Sequence, residues 1–367
     1  MQGETFIPGE VRKNFFTDSV SAKNRGKSFS IKDMYGSQFQ KAYVTDATVH
    51  DNNFAFLSTT LAKLHTTLYE PQYFITYNKD VPIDVGGGFV DYVSYFTVDW
   101  AGIMNEFRNV VGNNANYIPR VNAGLNQKQV NVYTWEVAYD LRFVELEKMK
   151  KLTLQKSIEE IYKNAIVAGW DLFVQKVAYT GINGTGLFNN PNVMVTAIDN
   201  NSTTGDGFEG MTDEEVVAFF NGVFQMYLVN SNMNISLLPD TFLVPTFVGA
   251  DLSSRFSELY TSTLRKFIIE HNLGNDEGDG NVKITINSRP ALDTLGSTGN
   301  GRIVAYKKDK SFVRLDVPYP IQHYITLPNI DKMSYTSAFV GQVSEIQMPY
   351  NTSSTEFGVV TYWDFTK

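Results

Sequence analysis

Reactive side chains come first, because chemistry needs groups that can converge. The four histidines, His50, His65, His271 and His323, stand apart, with no H-E-x-x-H and no close pair. A histidine metal site would have to be assembled from remote segments, so each reads as a structural or surface residue. Cysteine is absent, which removes thiolate ligands, disulfides and cysteine nucleophiles. Gly86-Gly87-Gly88 follows a strand-like run, but no phosphate-loop or dinucleotide fingerprint continues from it, and it reads as a turn or hinge. No G-x-S-x-G elbow occurs, and Ser297, beside glycine, lacks a companion base. The densest acidic stretch runs from Asn275 through Asp276, Glu277 and Asp279 to Asn281. It faintly resembles a calcium loop, but Ile286 and Asn287 stand where a bidentate glutamate would close the shell. A surface turn is the plain reading and an opportunistic cation site the alternative. Asp213, Glu214 and Glu215 suit the positive N-terminal end of a helix, which is a structural role. The expectation is no catalytic residue, no cofactor and no metal.

The bulk properties point the same way. A chain of 367 residues can bury a sizeable core, and at roughly one domain per 150 residues it suggests two or three lobes. The aromatic share of 14% favours strands and broad contact surfaces. Net charge is −8, and no concentrated basic face of the kind that grips a DNA sequence is visible. Such a subunit can still enclose DNA, since a container gains nothing from adhering to its cargo. The first residues do not read as a signal peptide, and no run of about 18 apolar residues suggests a membrane span.

The elements follow from periodicity and punctuation. Residues 1–48 are polar, with basic residues between Arg12 and Lys32, and carry too few apolar anchors to pack a core. They read as a flexible tail or as an arm that orders on a neighbouring subunit. Phe54, Phe56, Leu57, Leu61, Leu64 and Leu68 have helical spacing up to Pro71. Tyr73–Tyr77 and Val81–Ile83 read as strand. In 92–131, Val93, Tyr95 and Thr97 alternate, and Val130 starts a second alternation through Val132 and Thr134. The stretch reads as a projecting hairpin, marginal in water alone and therefore resting on another subunit. Residues 144–179 lack proline and repeat Ile158, Ile161, Tyr162, Ala165, Ala168 and Leu172 at three- and four-residue steps. That predicts one helix of about 30 residues, roughly 45 Å long. Thr212-Asp213-Glu214-Glu215 is a capping box opening a helix to about Val229. A further helix fits Ser262–His271. Strands fit Val193–Ile198, Phe242–Val244, Val282–Ile286, Ile303–Tyr306, Val313–Val317, Tyr335–Val343, Glu345–Met348 and Val359–Tyr362. The class is α+β.

The order of these elements resembles the tailed-bacteriophage major capsid proteins of the Hong Kong 97-type fold. The resemblance is carried by Tyr117-Ile118-Pro119-Arg120-Val121-Asn122, by Tyr133-Thr134-Trp135-Glu136-Val137-Ala138-Tyr139-Asp140 leading into the long helix, and by Ala165–Asp171 within it. Tyr179-Thr180-Gly181 and Gly186-Leu187-Phe188-Asn189-Asn190-Pro191 follow as its exit turn. It implies an N-terminal arm at 1–48, a first part of the peripheral domain at 49–91 and an extended loop at 92–131. The rest of the peripheral domain would span 132–211, with a spine helix at 144–179. An axial domain would occupy 212–324, and C-terminal strands at 325–367 would return to the peripheral domain.

The implied function is self-assembly, as hexamers and pentamers, into the icosahedral head around a double-stranded DNA genome, in the virion and built in the host bacterial cytoplasm. A portal, a separate scaffolding protein and a possible decoration protein are the implied partners, and no membrane is. An encapsulin-like compartment, or a tail or surface-layer subunit, is the alternative. Some members crosslink through a lysine on the extended loop; Lys128 occupies such a loop, but no partner is identifiable and no crosslink is expected. Phe96, Tyr117 and Ile118 are the candidate intersubunit contacts.

Overall fold

The computed structural model describes residues 71–101, 122–150, 156–199, 207–257, 262–277 and 283–366. The arm at 1–48 and the helical pattern ending at Leu68 lie outside them. The described chain opens with α1 (Tyr77–Asp80), β1 (Ile83–Val85), β2 (Tyr92–Ala101) and β3 (Asn122–Arg142). Next come α2 (Phe143–Lys150), α3 (Ile158–Tyr179), β4 (Met194–Asp199) and α4 (Asp213–Asn230). A mixed stretch follows: β5 (Thr241–Val244), α5 (Thr246–Ser254), β6 (Phe256–Ser257), β7 (Ser262–Thr263), α6 (Leu264–Glu270) and α7 (Leu273–Glu277). The remainder is strand: β8 (Thr285–Ser288), β9 (Arg302–Tyr306), β10 (Leu315–Val317), β11 (Tyr319–Asn329), β12 (Ser334–Ser344) and β13 (Thr361–Thr366).

The core is organised by a five-stranded sheet in the order β4-β13-β9-β5-β8. Its inner strands β9 and β5 are buried along their whole length, as strands covered on both sides must be. Because successive side chains point to opposite faces, Phe242, Val244, Ile303, Ala305 and Phe365 enter one buried cluster. Leu243, Val304, Tyr306 and Tyr362 enter the other. The first cluster is closed by α4, through Phe220, Phe224 and Tyr227, and by Val248, Leu252, Leu264 and Ile268 of α5 and α6. The second is closed by Trp170, Val174 and Val177 of α3 and by Leu187 and Phe188 beyond it. Each fully buried aromatic or branched side chain contributes about 1.5–3 kcal/mol, so the sheet is the element neither lobe can lose.

A four-stranded sheet, β11-β12-β3-β2, forms the second layer. β3 spans 21 residues. Its first half pairs with β2, from Ala101 opposite Asn122 to Tyr92 opposite Asn131, and its second half pairs with β12, from Val132 opposite Ser344 to Arg142 opposite Ser334. Trp135 of β3 packs on Trp170 of α3, ring centroids 5.8 Å apart. Gly341 of β12 makes room for that indole: a Cβ there would sit 2.7 Å from it.

The structure differs from the sequence expectations in several elements. The helix expected over 144–179 is interrupted: α2 is described as far as Lys150, Lys156 and Ser157 are not helical, and Ser157 caps a new helix of 22 residues, about 33 Å long. Ser157 is extended, and its hydroxyl accepts the Glu160 N–H. A serine in that position satisfies an otherwise orphaned donor and starts a helix rather than continuing one. Tyr73–Tyr77 is not a strand; the segment is held on α3, the Thr76 N–H donating to Gln175 Oε1 at 2.8 Å. The C-terminal strands enter two different sheets. β12 joins β3, whereas β13 lies parallel to β4 and antiparallel to β9 in the central sheet, where Phe365 and Tyr362 fill both clusters. Finally, β11 is a strand that alternation did not reveal, because Pro320 and Pro328 and two register irregularities interrupt it. An edge strand tolerates both.

Candidate subunit-contact surfaces

His50 and His65 lie outside the described residues, and among the described residues the reactive groups named above stand in separate surroundings. His271 lies against Phe267, ring centroids 5.0 Å apart, and His323 Nε2 meets Thr326 Oγ1 at 2.8 Å. Among the described residues no three His, Asp or Glu side chains group to hold a metal ion. Ser297 does contact a carboxylate, its N–H donating to Asp364 Oδ2 at 2.7 Å, but that carboxylate is committed elsewhere. Arg302 grips Asp364 through Nε at 2.6 Å and Nη2 at 2.8 Å, donates to Phe188 O at 2.8 Å and lies over the Tyr362 ring. Burial would raise the Asp364 carboxyl, yet hydrogen bonds from Arg302 and Ser297 outweigh it and hold the group below the usual carboxylate range.

A second buried pair ties distant segments. Arg289 holds Asp80 through Nε and Nη2, both at 2.5 Å, and Tyr179 donates to the same carboxylate. Tyr306 donates to Asp80 O at 2.7 Å. The partners lie 209 positions apart, so no local pattern could have announced them. Burial pushes the Tyr179 and Tyr306 hydroxyls well up, with the Asp80 charge adding to it. These networks lock the body rigidly.

Gly186 belongs to the same rigid frame. The chain leaving α3 turns back so that Leu187 N–H donates to Ala178 O and Phe188 N–H to Tyr179 O, both at 2.9 Å. A Cβ on Gly186 would sit 2.3 Å from Tyr179 O. The Gly181…Gly186-Leu187-Phe188 motif is thus a packing requirement.

The free chemistry of the surface is apolar. In the β2–β3 hairpin, residues directly opposite share a face, and Val98 stands opposite Leu125 while Phe96 stands opposite Gln127. Phe96 is 59% exposed, Val98 54% and Leu125 67%, with Tyr92 further along the same face at 56%. Most of β3 from Asn122 to Asn131 is exposed as well. A two-stranded ribbon solvated on both sides is marginal by itself. Its base is tied down: Val90 N–H donates to Gln342 Oε1 at 3.1 Å, and Tyr133 donates to Glu345. Burial, with the Glu345 carboxylate adding to it, pushes the Tyr133 hydroxyl up to about 12. Between ribbon and body lies a groove of about 670 Å³, walled by Tyr95 and Lys128 on one side and by Lys310, Arg314 and Tyr350 on the other. Of the candidate contacts, Phe96 is therefore solvent-facing on the hairpin, and Tyr117 and Ile118 lie outside the described residues.

Two further apolar patches escaped sequence reading. The end of β11 and the β11–β12 turn expose Leu327, Ile330 and Met333, with Ile330 at 86%; Phe143 and Val144, also exposed, follow β3 beside Met333. The end of α4 and the turn after it expose Val229, Met233 and Ile235. The only prior signal was an apolar residue in a turn, which by itself means little.

A family model described as "Major capsid protein" matches residues 108–354. No curated protein matches the chain. Among solved structures, the capsid of Myoviridae phage XM1 is similar at 14% identity, with 84% of this chain and 98% of that one covered and a TM-score of 0.64. The capsid of a native GTA particle is similar at 9% identity, covering 87% and 100%, with a TM-score of 0.54. A structure from Mycobacterium phage Adephagia is similar at 9% identity, covering 85% and 97%, with a TM-score of 0.53.

Proposed function

The chain belongs to the major capsid protein family and is a shell-forming subunit with the Hong Kong 97-type fold; from that premise we propose how it builds its shell. Copies associate as hexamers and pentamers of an icosahedral head that encloses double-stranded DNA, with a portal and a separate scaffolding protein, in the host bacterial cytoplasm. A decoration protein is a possible further partner of the finished shell. The DNA is contained, not read, in keeping with the net charge of −8. The subunit acts by contact and not by catalysis. We assign the arm to 1–48, the extended loop to 92–131, and Phe96, Tyr117 and Ile118 to its intersubunit contacts.

One observation carries this reading. A ten-residue strand, β2, and the facing half of β3 stand away from the body with Phe96, Val98 and Leu125 more than half exposed. Such a ribbon gains order only when a second surface covers it, and the buried apolar area then offsets its lost conformational entropy. Deleting residues 95–128 tests this. The expected result is a soluble, folded subunit that forms no closed shells by negative-stain microscopy and sedimentation, while the full chain forms shells or capsomer-sized rings. Normal shells from the deleted chain would sink the proposal.

A further inference from the structure

The turn by which the chain leaves α3 holds a residue that can change chemically without an enzyme. An asparagine followed by glycine can close on the glycine nitrogen, because no side chain blocks the approach and the backbone is free to fold into a ring. Asn-Gly occurs three times in the chain, at Asn183, Asn221 and Asn300. Two of the three are shielded. Asn221 lies inside α4, where the following N–H is bonded along the helix, and its own Oδ1 accepts the Leu273 N–H at 3.0 Å. Asn300 is 5% exposed, and its Nδ2 donates to Phe365 O at 3.4 Å. Asn183 is exposed. Among the described residues the Gly184 N–H has no hydrogen-bond partner. A Cβ on Gly184 would meet nothing closer than Asn189 Nδ2 at 4.0 Å, so the turn is open around that nitrogen.

The Asn183 side chain also has a structural task. Its Nδ2 donates to the Tyr133 hydroxyl oxygen at 3.0 Å, and Tyr133 in turn donates to Glu345. The Glu345 N–H donates to Asn131 O at 3.0 Å. At this point β3 changes partner, from β2 at Asn131 to β12 at Val132, so these bonds fix the root of the ribbon. The Tyr133 hydroxyl, pushed up to about 12, stays protonated at neutral pH and has a single proton to donate.

We propose that Asn183 is a site of spontaneous deamidation whose product loosens the ribbon at its root. The Gly184 nitrogen gives up its proton to hydroxide and bonds to Asn183 Cγ. The Cγ–Nδ2 bond breaks, and the amide nitrogen leaves as ammonia, taking a proton from water. Water then opens the succinimide: attack at Cγ leaves aspartate, and attack at the backbone carbonyl leaves isoaspartate. A water is taken up, an ammonia is released, and nothing is oxidised or reduced. The former donor to Tyr133 is then a carboxylate, which only accepts, and the single Tyr133 proton cannot serve both it and Glu345. Two like charges now compete for one hydroxyl, which is unfavourable, and a ribbon marginal by itself loses part of its anchor. This goes beyond the shell reading, because the chemistry takes place within one subunit.

The purified full chain, held in mildly alkaline buffer and sampled by peptide mass spectrometry, tests the site, with an isoaspartyl methyltransferase as the probe of the rearranged product. The expected result is loss of the Asn183 amide about tenfold or more faster than that of Asn221 or Asn300. Retention of the Asn183 amide, while a free peptide of residues 179–188 converts in the same buffer, overturns the site. Hydrogen exchange reads the consequence. N183D should speed exchange of the ribbon amides in 92–98 and 124–131 by about fivefold or more, the effect of losing about one hydrogen bond, with the amides of β5 and β9 unchanged. With Y133F already present, N183D should add nothing. Unchanged ribbon exchange in N183D, the same gain in the Y133F background, or an equal gain in β5 and β9 overturns the coupling. Ageing should raise ribbon exchange in the parent chain and leave it unchanged in N183Q, whose longer side chain closes its ring slowly. Equal drift in both counts against Asn183 as the cause. Shell formation is read separately, by particle assembly, and stands or falls apart from these outcomes.

Discussion

Asp364 illustrates how single residues hold the body. Its carboxylate is desolvated, which by itself favours protonation, but bonds from Arg302 and Ser297 prevail and the group titrates below its ordinary value of 3.8. A carboxyl depressed in the folded state stabilises fully above the ordinary value, and that contribution is lost as pH falls through the folded one. The isolated subunit should therefore lose stability below about pH 4, and Asp364→Asn should flatten that part of the profile. The same substitution leaves Arg302 buried without its counter-charge, at a cost of about 3–5 kcal/mol, measurable by urea denaturation at neutral pH. Gly186→Ala has a different cause. The added Cβ meets Tyr179 O, and overpacking at a site closed by backbone costs about 1–3 kcal/mol or more, seen as a melting temperature lower by roughly 4 °C or more. Such requirements are only half visible in a sequence. The glycines of the exit turn could be singled out, but Asp80 and Arg289, 209 positions apart, are an ordinary acid and an ordinary base until the fold brings them together.

Elements are legible where their signals are local. The helix starting at Asp213 was readable because Thr212 and Glu215 exchange both capping hydrogen bonds, and a capping box needs only four consecutive residues. The start of α3 was missed for the converse reason. Helix formers run through 144–179 without a proline, and a lone serine among them is a weak stop sign until its hydroxyl is seen on the Glu160 N–H. Ser157→Ala should destabilise the subunit by about 1 kcal/mol, and a change within a few tenths of zero in denaturant titrations would mean that packing alone sets the helix start. The β2–β3 hairpin behaves differently. Phe96→Ser should leave the subunit's melting temperature unchanged, because the ring touches mostly solvent, and should reduce the yield of sedimenting particles. The edge strand β11 carries Pro320, Pro328 and irregular pairing, devices that blunt edge-to-edge association. Contacts between copies are thereby steered to side-chain surfaces, in keeping with the exposed apolar patches at Ile330 and Met333.

At the scale of the molecule, function follows from what the fold leaves uncovered. A body locked by buried ion pairs and two cores on a shared sheet carries a ribbon and a turn that are unfinished, as expected of a subunit completed only by its copies. The sequence by itself determined the α+β class, the alternating ribbon and the main helices, because periodicity and caps are local properties. Only the tertiary structure decided that the chain's last strand enters the central sheet between β4 and β9. It alone decided that Asp80 meets Arg289. Those outcomes depend on which remote segments a shared sheet brings into register, and a strand of alternating apolar residues fits many partners until the volumes on both of its faces have to be filled at once.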